Sequence, residues 1–224
     1  MSRKVGMIHA MCPNAQLFKK LAAEIMPGVE VINFVDEGIP VMSDKSLHGQ
    51  VVRRLGMMAM LAKESGAEMV MLTCTAFGRL ADEVQRVAGI PVISVLEIMA
   101  DEAMALGDQI GVLASHPGAL ATATELIEEQ SALKGKKVKV VPSLCKGAFE
   151  ALKKEDWPVH DAIVMKYLKE LMGRAKVIVI PQPSIERVVN QLPESQRKVP
   201  ILSSAQLSVR KLKEKLEALP TSTR

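Results

Sequence analysis

The 224-residue chain has few aromatic side chains: one Trp, one Tyr and four Phe, 3% in all. A stacking platform for single-stranded nucleic acid needs several such rings, so that class is set aside. Cysteine is scarce and odd in number. Cys12, Cys74 and Cys145 form no CxxC and no close pair, which suits a reducing compartment without a disulfide framework. His9, His48, His116 and His160 show no zinc-ligand spacing, so no metal site is expected. No apolar run approaches the roughly 18 residues of a membrane span. Met1-Ser2-Arg3-Lys4 leads straight into a strand-like run where a signal peptide would stand. A cytoplasmic protein off the membrane is expected. The charge excess is small, +4. The densest basic run, Arg210, Lys211, Lys213 and Lys215, reads as a solvated helix face rather than a nucleic-acid patch.

What the chain has in quantity is aliphatic carbon. Hydrophobic residues make up 48%, with 14 Met, enough to core one large domain or two small ones. Apolar runs alternate with amphipathic stretches along the whole length. Strands are predicted at Lys4–His9, Glu30–Val35, Val70–Thr73, Pro91–Val95, Gln109–Ser115, Lys137–Val141, Lys176–Ile180 and Val199–Ser204. Helices are predicted between them. One runs from Asn14, a candidate cap, to Met26, and a long one capped by Ser43 or Asp44 runs to Ser65. Others run from Phe77 to Val87, from Glu97 to Leu106, from the Ser115 strand to Leu133, and from Ser184 to Gln191. Helical pieces at Gly147–Lys153 and His160–Met172 are read as broken by Trp157-Pro158, and a basic helix closes the chain. The strands are continuous apolar runs, not period-two patterns. That marks an α/β fold with parallel sheets covered on both faces.

The stretch with most chemistry is Val70-Met71-Leu72-Thr73-Cys74-Thr75-Ala76-Phe77. A thiol at the end of a buried parallel strand, at the start of a helix, sits where such folds place reactive groups. The helix end favours a thiolate through its partial positive charge. The functional reading is a catalytic cysteine; the other is a small buried hydrophobe.

The two halves can be laid on one another. Val5-Gly6-Met7-Ile8 matches Ile110-Gly111-Val112-Leu113. Cys74-Thr75-Ala76-Phe77 falls against Gln182-Pro183-Ser184-Ile185, and Ile90-Pro91-Val92-Ile93-Ser94 against Val199-Pro200-Ile201-Leu202-Ser203. The near-constant offsets of 105, 108 and 109 residues argue for a duplicated α/β unit. The expected domains are 1–97 with a returning C-terminal helix, 206–224, and 98–205. Two such domains would bury a ligand cleft between their strand C-terminal ends, with Cys74 and Gln182 on opposite walls. Ser115 and the Ala10–Cys12 segment would form a second facing pair.

These motifs together resemble the aspartate/glutamate/hydantoin racemase superfamily over essentially the whole chain. The resemblance rests on Val5-Gly6-Met7-Ile8-His9, Asn33-Phe34-Val35-Asp36-Glu37, Thr73-Cys74-Thr75, Ile110–Ser115, Gly147–Ala151 and Val177–Arg187. It implies two pseudo-symmetric α/β domains, a cleft active site, and two thiols that take and return an α-proton from opposite faces. It also implies no metal or organic cofactor, a small-molecule carboxylate substrate, and a homodimer or higher homo-oligomer. Cys74 matches the first thiol, but Gln182 stands where the second is expected. A carboxamide neither gains nor loses a proton near neutral pH, though it can donate to a carboxylate or enediolate oxygen.

The expected site is therefore Cys74 as acid/base, with His9, Thr75, Ser115, Gln182 and Ser184 binding substrate. A satisfied structural role for His9, and capping roles for Thr75, Ser115 and Ser184, stay open beside these. The reaction implied is racemisation or isomerisation next to a carboxylate or amide carbonyl. A single-cysteine isomerase or decarboxylase of a small dicarboxylate is one alternative, and a non-catalytic small-ligand binding protein is another. Cys145 and Met57-Met58-Met60 are read as packing, the methionines in the core or at a dimer contact. His116 is read as a loop residue, and His160-Asp161 as a helix start.

Overall fold

Each apolar run forms a parallel strand, and the stretch after it carries the chain back as a helix. The computed structural model describes residues 2–39 and 45–220; the caps expected at Ser43 or Asp44 lie outside the described residues. The first half runs β1 (Arg3–His9), α1 (Cys12–Ile25), β2 (Val29–Val35), α2 (His48–Glu64), β3 (Met69–Leu72), α3 (Ala81–Ala88), β4 (Val92–Ser94) and α4 (Val95–Leu106). The second runs β5 (Gln109–Ala114), α5 (Pro117–Leu133), β6 (Lys139–Leu144), α6 (Ala148–Lys153), α7 (Trp157–Met172), β7 (Val177–Ile180), α8 (Pro183–Val189), β8 (Ile201–Ser203) and α9 (Ser204–Ala218). The chain divides into two units, Met1–Val95 with Ala205–Arg224, and Leu96–Ser204.

Each unit holds one four-stranded sheet, and every strand pair is parallel. The orders are β2-β1-β3-β4 and β6-β5-β7-β8, the same path traced twice. In the first unit, strand parity sorts the core. Ile8, Val70 and Leu72 pack with Val51, Leu55, Ala59 and Ala62 of α2 and Val84 of α3 on one face. Val5, Met7, Met69 and Met71 pack with Phe18 and Ala22 of α1 and Val209, Leu212 and Leu216 of α9 on the other. Burial on both faces explains why these strands read as unbroken apolar runs. In the second unit, Leu113, Val141, Ile178 and Ile180 pack with Val164, Leu168 and Leu171 of α7 and Ile185, Val188 and Val189 of α8.

One glycine in each unit lets a helix lie close on its first strand. A Cβ on Gly6 would sit 2.7 Å from Cβ of Ala62 on α2. A Cβ on Gly111 would sit 2.9 Å from Cγ of Leu171 on α7. The two glycines belong to the motifs that align in the repeat.

Several boundaries differ from the sequence expectation, and three prolines explain most of them. α1 starts at Cys12, not Asn14, with Pro13 in its first turn; α7 starts at Trp157, with Pro158 opening the helix. Proline lacks only an N–H that the first turn leaves unbonded anyway. β6 runs through Pro142 to Leu144; as the edge strand of its sheet it tolerates a missing donor. After β3 the chain first winds as a 3-10 helix, Thr75–Leu80, before α3 begins.

Candidate active site

In each sheet the strand order reverses between the first and third strands of its unit, β1 and β3 or β5 and β7. Ligands of open parallel sheets bind beyond the strand C-termini at such a switch point. The candidate residues divide between the two switch points.

At the first, β3 is buried throughout and delivers Thr73 and Cys74 just past its end. Cys74 has extended backbone (φ −92°, ψ 123°) and caps the 3-10 helix Thr75–Leu80, its carbonyl accepting from Phe77 N–H at 3.1 Å. The thiol is half-buried, outside any disulfide, and packs on the α2/α3 face of the core. Thr75, also half-buried, is the first residue of that helix.

Behind Cys74 lies a polar chain. Thr73 Oγ1 is 2.8 Å from His9 Nδ1 and 2.9 Å from the Ile8 carbonyl. His9 Nε2 is 2.8 Å from Asn33 Oδ1. His9 ends β1, is 1% exposed, and lies against the Phe18 ring at 5.8 Å. Burial pushes its pKa down, a shift the Asn33 bond only partly offsets, so the ring is neutral near pH 7. A neutral ring donating from Nε2 to Asn33 accepts at Nδ1 from the Thr73 hydroxyl. The Ile8 carbonyl still receives the Thr73 N–H at 3.0 Å. Both ring nitrogens are thus engaged inside the unit, Nδ1 with Thr73 and Nε2 with Asn33.

At the second switch point, Ser115 follows β5 and Gln182 follows β7. The Ser115 N–H donates to Gln182 Oε1 at 2.7 Å, and Ser115 Oγ lies 3.3 Å from the same oxygen. Ser115 is 4% exposed, so its polar groups serve Gln182 rather than standing open to solvent. Gln182 is the N-cap residue of α8, with extended backbone and a half-buried side chain; Ser184 lies within the first turn and is not the cap. His116, expected in a loop, caps α5 by accepting from Gly118 N–H at 3.1 Å.

Further groups lie near these ends. Burial pushes the Cys145 thiol up to about 12, which leaves it inert as a nucleophile. Cys12 is exposed, and the Glu37 carboxylate raises its pKa. Glu186, one helical turn beyond Gln182, has its pKa raised by burial against the opposing bond from Ser203, and its Oε2 is buried with no hydrogen-bond partner among the described residues. His160 is fully buried with Nδ1 2.9 Å from Asp161 Oδ1. The cap of α7 is Asp156, which accepts from Val159 N–H at 3.2 Å. Sequence reading missed Thr73, Asn33 and Glu186 as site neighbours; a lone Asn inside the apolar run Val31–Val35 was the available signal.

A shallow surface pocket of the second unit, about 390 Å³, is lined by Asp108, Gln109, Lys137, Lys139 and Lys176. It lies at the N-terminal strand edge, away from every candidate residue. Among the described residues no group of three or more His, Cys, Asp or Glu could hold a metal ion. No helix among them is long and apolar enough to cross a membrane.

The fold recurs in solved enzymes. Allantoin racemase from Klebsiella pneumoniae superposes with a TM-score of 0.75 at 16% identity, over 97% of this chain and 88% of that one. Glutamate racemase from Francisella tularensis subsp. tularensis SCHU S4, in complex with D-glutamate, gives 0.71 at 16%, over 99% and 85%. Unliganded arylmalonate decarboxylase gives 0.63 at 15%, over 97% and 94%. A sequence search of curated proteins finds no significant match. The family model for Asp/Glu/Hydantoin racemase matches residues 15–212, and the chain belongs to that family.

Proposed function

We propose that the protein is a cofactor-independent racemase or isomerase acting at the carbon next to a carboxylate or amide carbonyl of a small molecule. Cys74 is the acid/base, working as a thiolate. Thr75, Gln182 and Ser184 bind substrate, while His9 and Ser115 hold Thr73 and Gln182 in place. The observation that carries this reading is the place of Cys74: a half-buried thiol just past β3, at the switch point of its sheet, backed by the Thr73–His9–Asn33 chain. Family membership supports the reaction class. The same reading expects a cytoplasmic homo-oligomer.

The test is α-proton exchange in D2O, followed by proton NMR over a panel of amino acids, hydantoins and small dicarboxylates. Wild type exchanges at least one compound, and Cys74→Ala exchanges none while keeping its near-ultraviolet circular dichroism. Equal exchange in the two proteins sinks the thiol assignment.

One observation favours a second reading. Gln182 occupies the place after β7 that Cys74 occupies after β3, and a carboxamide neither gains nor loses a proton near neutral pH. A single-thiol isomerase or decarboxylase of a small dicarboxylate fits that substitution. Product identity separates the two: enantiomer interconversion supports the first, carbon dioxide release or a cis–trans change the second.

A further inference from the structure

We infer that Ser115 and Gln182 form a one-way donor clamp that binds an anionic oxygen of the substrate. A backbone N–H can only donate. The Ser115 N–H lies 2.7 Å from one end of the Gln182 amide, so that end is the carbonyl oxygen and the amide has one orientation. The Ser115 hydroxyl, 3.3 Å away, adds to the hold on the same oxygen. A carboxamide is planar and has two ends. With its oxygen fixed on Ser115, the end left to present is the NH2 group, and no described residue accepts from Nε2.

The position makes this arrangement more than a satisfied glutamine. The clamp joins the ends of β5 and β7, the two strands between which the sheet order reverses. The amide is half-buried, so its donors are partly stripped of water and held in one orientation before any ligand arrives. Two fixed N–H donors suit a carboxylate or enolate oxygen and reject an ammonium group. Were the amide free to rotate, it would offer its oxygen as readily and would discriminate neither. Glutamine here is thus a polarity filter that favours an anionic oxygen over a cationic group.

The inference rests on the proposed function for the identity of the substrate, but its test is an equilibrium measurement that needs no turnover. The probe is sodium malonate, titrated into the 15N-labelled full chain. The side-chain NH2 signals of Gln182 are assigned by their loss in Gln182→Glu. Malonate is expected to shift those signals saturably. Gln182→Glu keeps an oxygen for the Ser115 N–H but presents a second oxygen in place of the NH2 group. It is expected to weaken malonate binding about 10- to 100-fold, the scale of a hydrogen bond to a charged acceptor. Ser115→Ala removes only the 3.3 Å contact and keeps the N–H, so its loss is smaller than that of Gln182→Glu.

Three results overturn the inference: no malonate binding by wild type, binding that leaves the Gln182 NH2 signals unmoved, or a larger loss in Ser115→Ala than in Gln182→Glu. Should Gln182→Glu not fold, Gln182→Met removes both donors at similar size and carries the same expectation. Loss of exchange in Cys74→Ala with no malonate response sinks the clamp alone; a malonate response with exchange intact in Cys74→Ala sinks the thiol assignment alone.

Discussion

Replacing Thr73 with valine deletes one hydroxyl and little else, which makes its cost calculable. Thr73 is 5% exposed, so no water is at hand to replace the lost group. The hydroxyl has two neighbours, the Ile8 carbonyl at 2.9 Å and His9 Nδ1 at 2.8 Å. The carbonyl keeps the Thr73 N–H at 3.0 Å and loses little. His9 Nδ1 loses its donor while Nε2 stays committed to Asn33 at 2.8 Å. A buried acceptor left unpaired costs about 1–3 kcal/mol. In a chain of this size each kcal/mol moves the unfolding midpoint by about 2–4 °C, so Thr73→Val is expected to lower Tm by roughly 2–12 °C.

Urea unfolding at unchanged m-value reads the same loss. A double-mutant cycle with His9→Phe isolates the pair, and a coupling energy of about 1 kcal/mol or more is expected. A coupling below about 0.3 kcal/mol would refute the bond and, with it, the view that His9 serves Thr73.

Gly6→Ala and Gly111→Ala each place a Cβ within 3 Å of a packed side chain, 2.7 Å from Ala62 and 2.9 Å from Leu171. Each is expected to cost about 1–3 kcal/mol by overpacking, read by urea unfolding, with Gly28→Ala, which meets nothing within 4 Å, as the neutral control; equal behaviour of all three would contradict the close helix approach. The Glu186 carboxyl has its pKa raised by burial from the ordinary 4.5. The folded chain therefore holds that proton more tightly than the unfolded chain, and stability falls as pH rises from the ordinary value through the raised one. Glu186→Gln should flatten that slope in a series of unfolding curves; an unchanged slope would show the proton is held elsewhere. Asp36 is shifted the other way, lowered chiefly by its hydrogen bonds from Arg54 at 2.5 and 2.6 Å. Its contribution is present above the ordinary carboxylate range and is lost as pH falls through the lowered value. Arg54→Met should move that loss to higher pH, and an acid-unfolding midpoint that stays put would count against the pair.

The strands were legible because burial on both faces writes them as unbroken apolar runs, as in Met69–Leu72 and Val177–Ile180, buried at every position. Helix starts were less so. Asn14 read as a cap and Pro158 as an interruption, yet Pro13 and Pro158 stand in first turns, where proline costs no hydrogen bond. Cys74 stood out because a strand end and a helix start flank it within a few residues. Its supporting bonds did not stand out: Thr73 to His9 spans 64 positions, His9 to Asn33 spans 24, and Ser115 to Gln182 spans 67. Such pairs are made by strand order, and strand order leaves no local mark. Pairing Gln182 with Ser115 required knowing that β7 lies directly beside β5.

The environments of Cys12 and Cys145 bear on how this chain can be labelled. One thiol is discouraged from ionising by a neighbouring carboxylate, the other by burial. A thiolate-seeking electrophile applied near neutral pH therefore meets less competition from both than from ordinary exposed thiols. Covalent screening can be run on the native sequence with no cysteine removed beforehand, each adduct being placed on its thiol by peptide mapping.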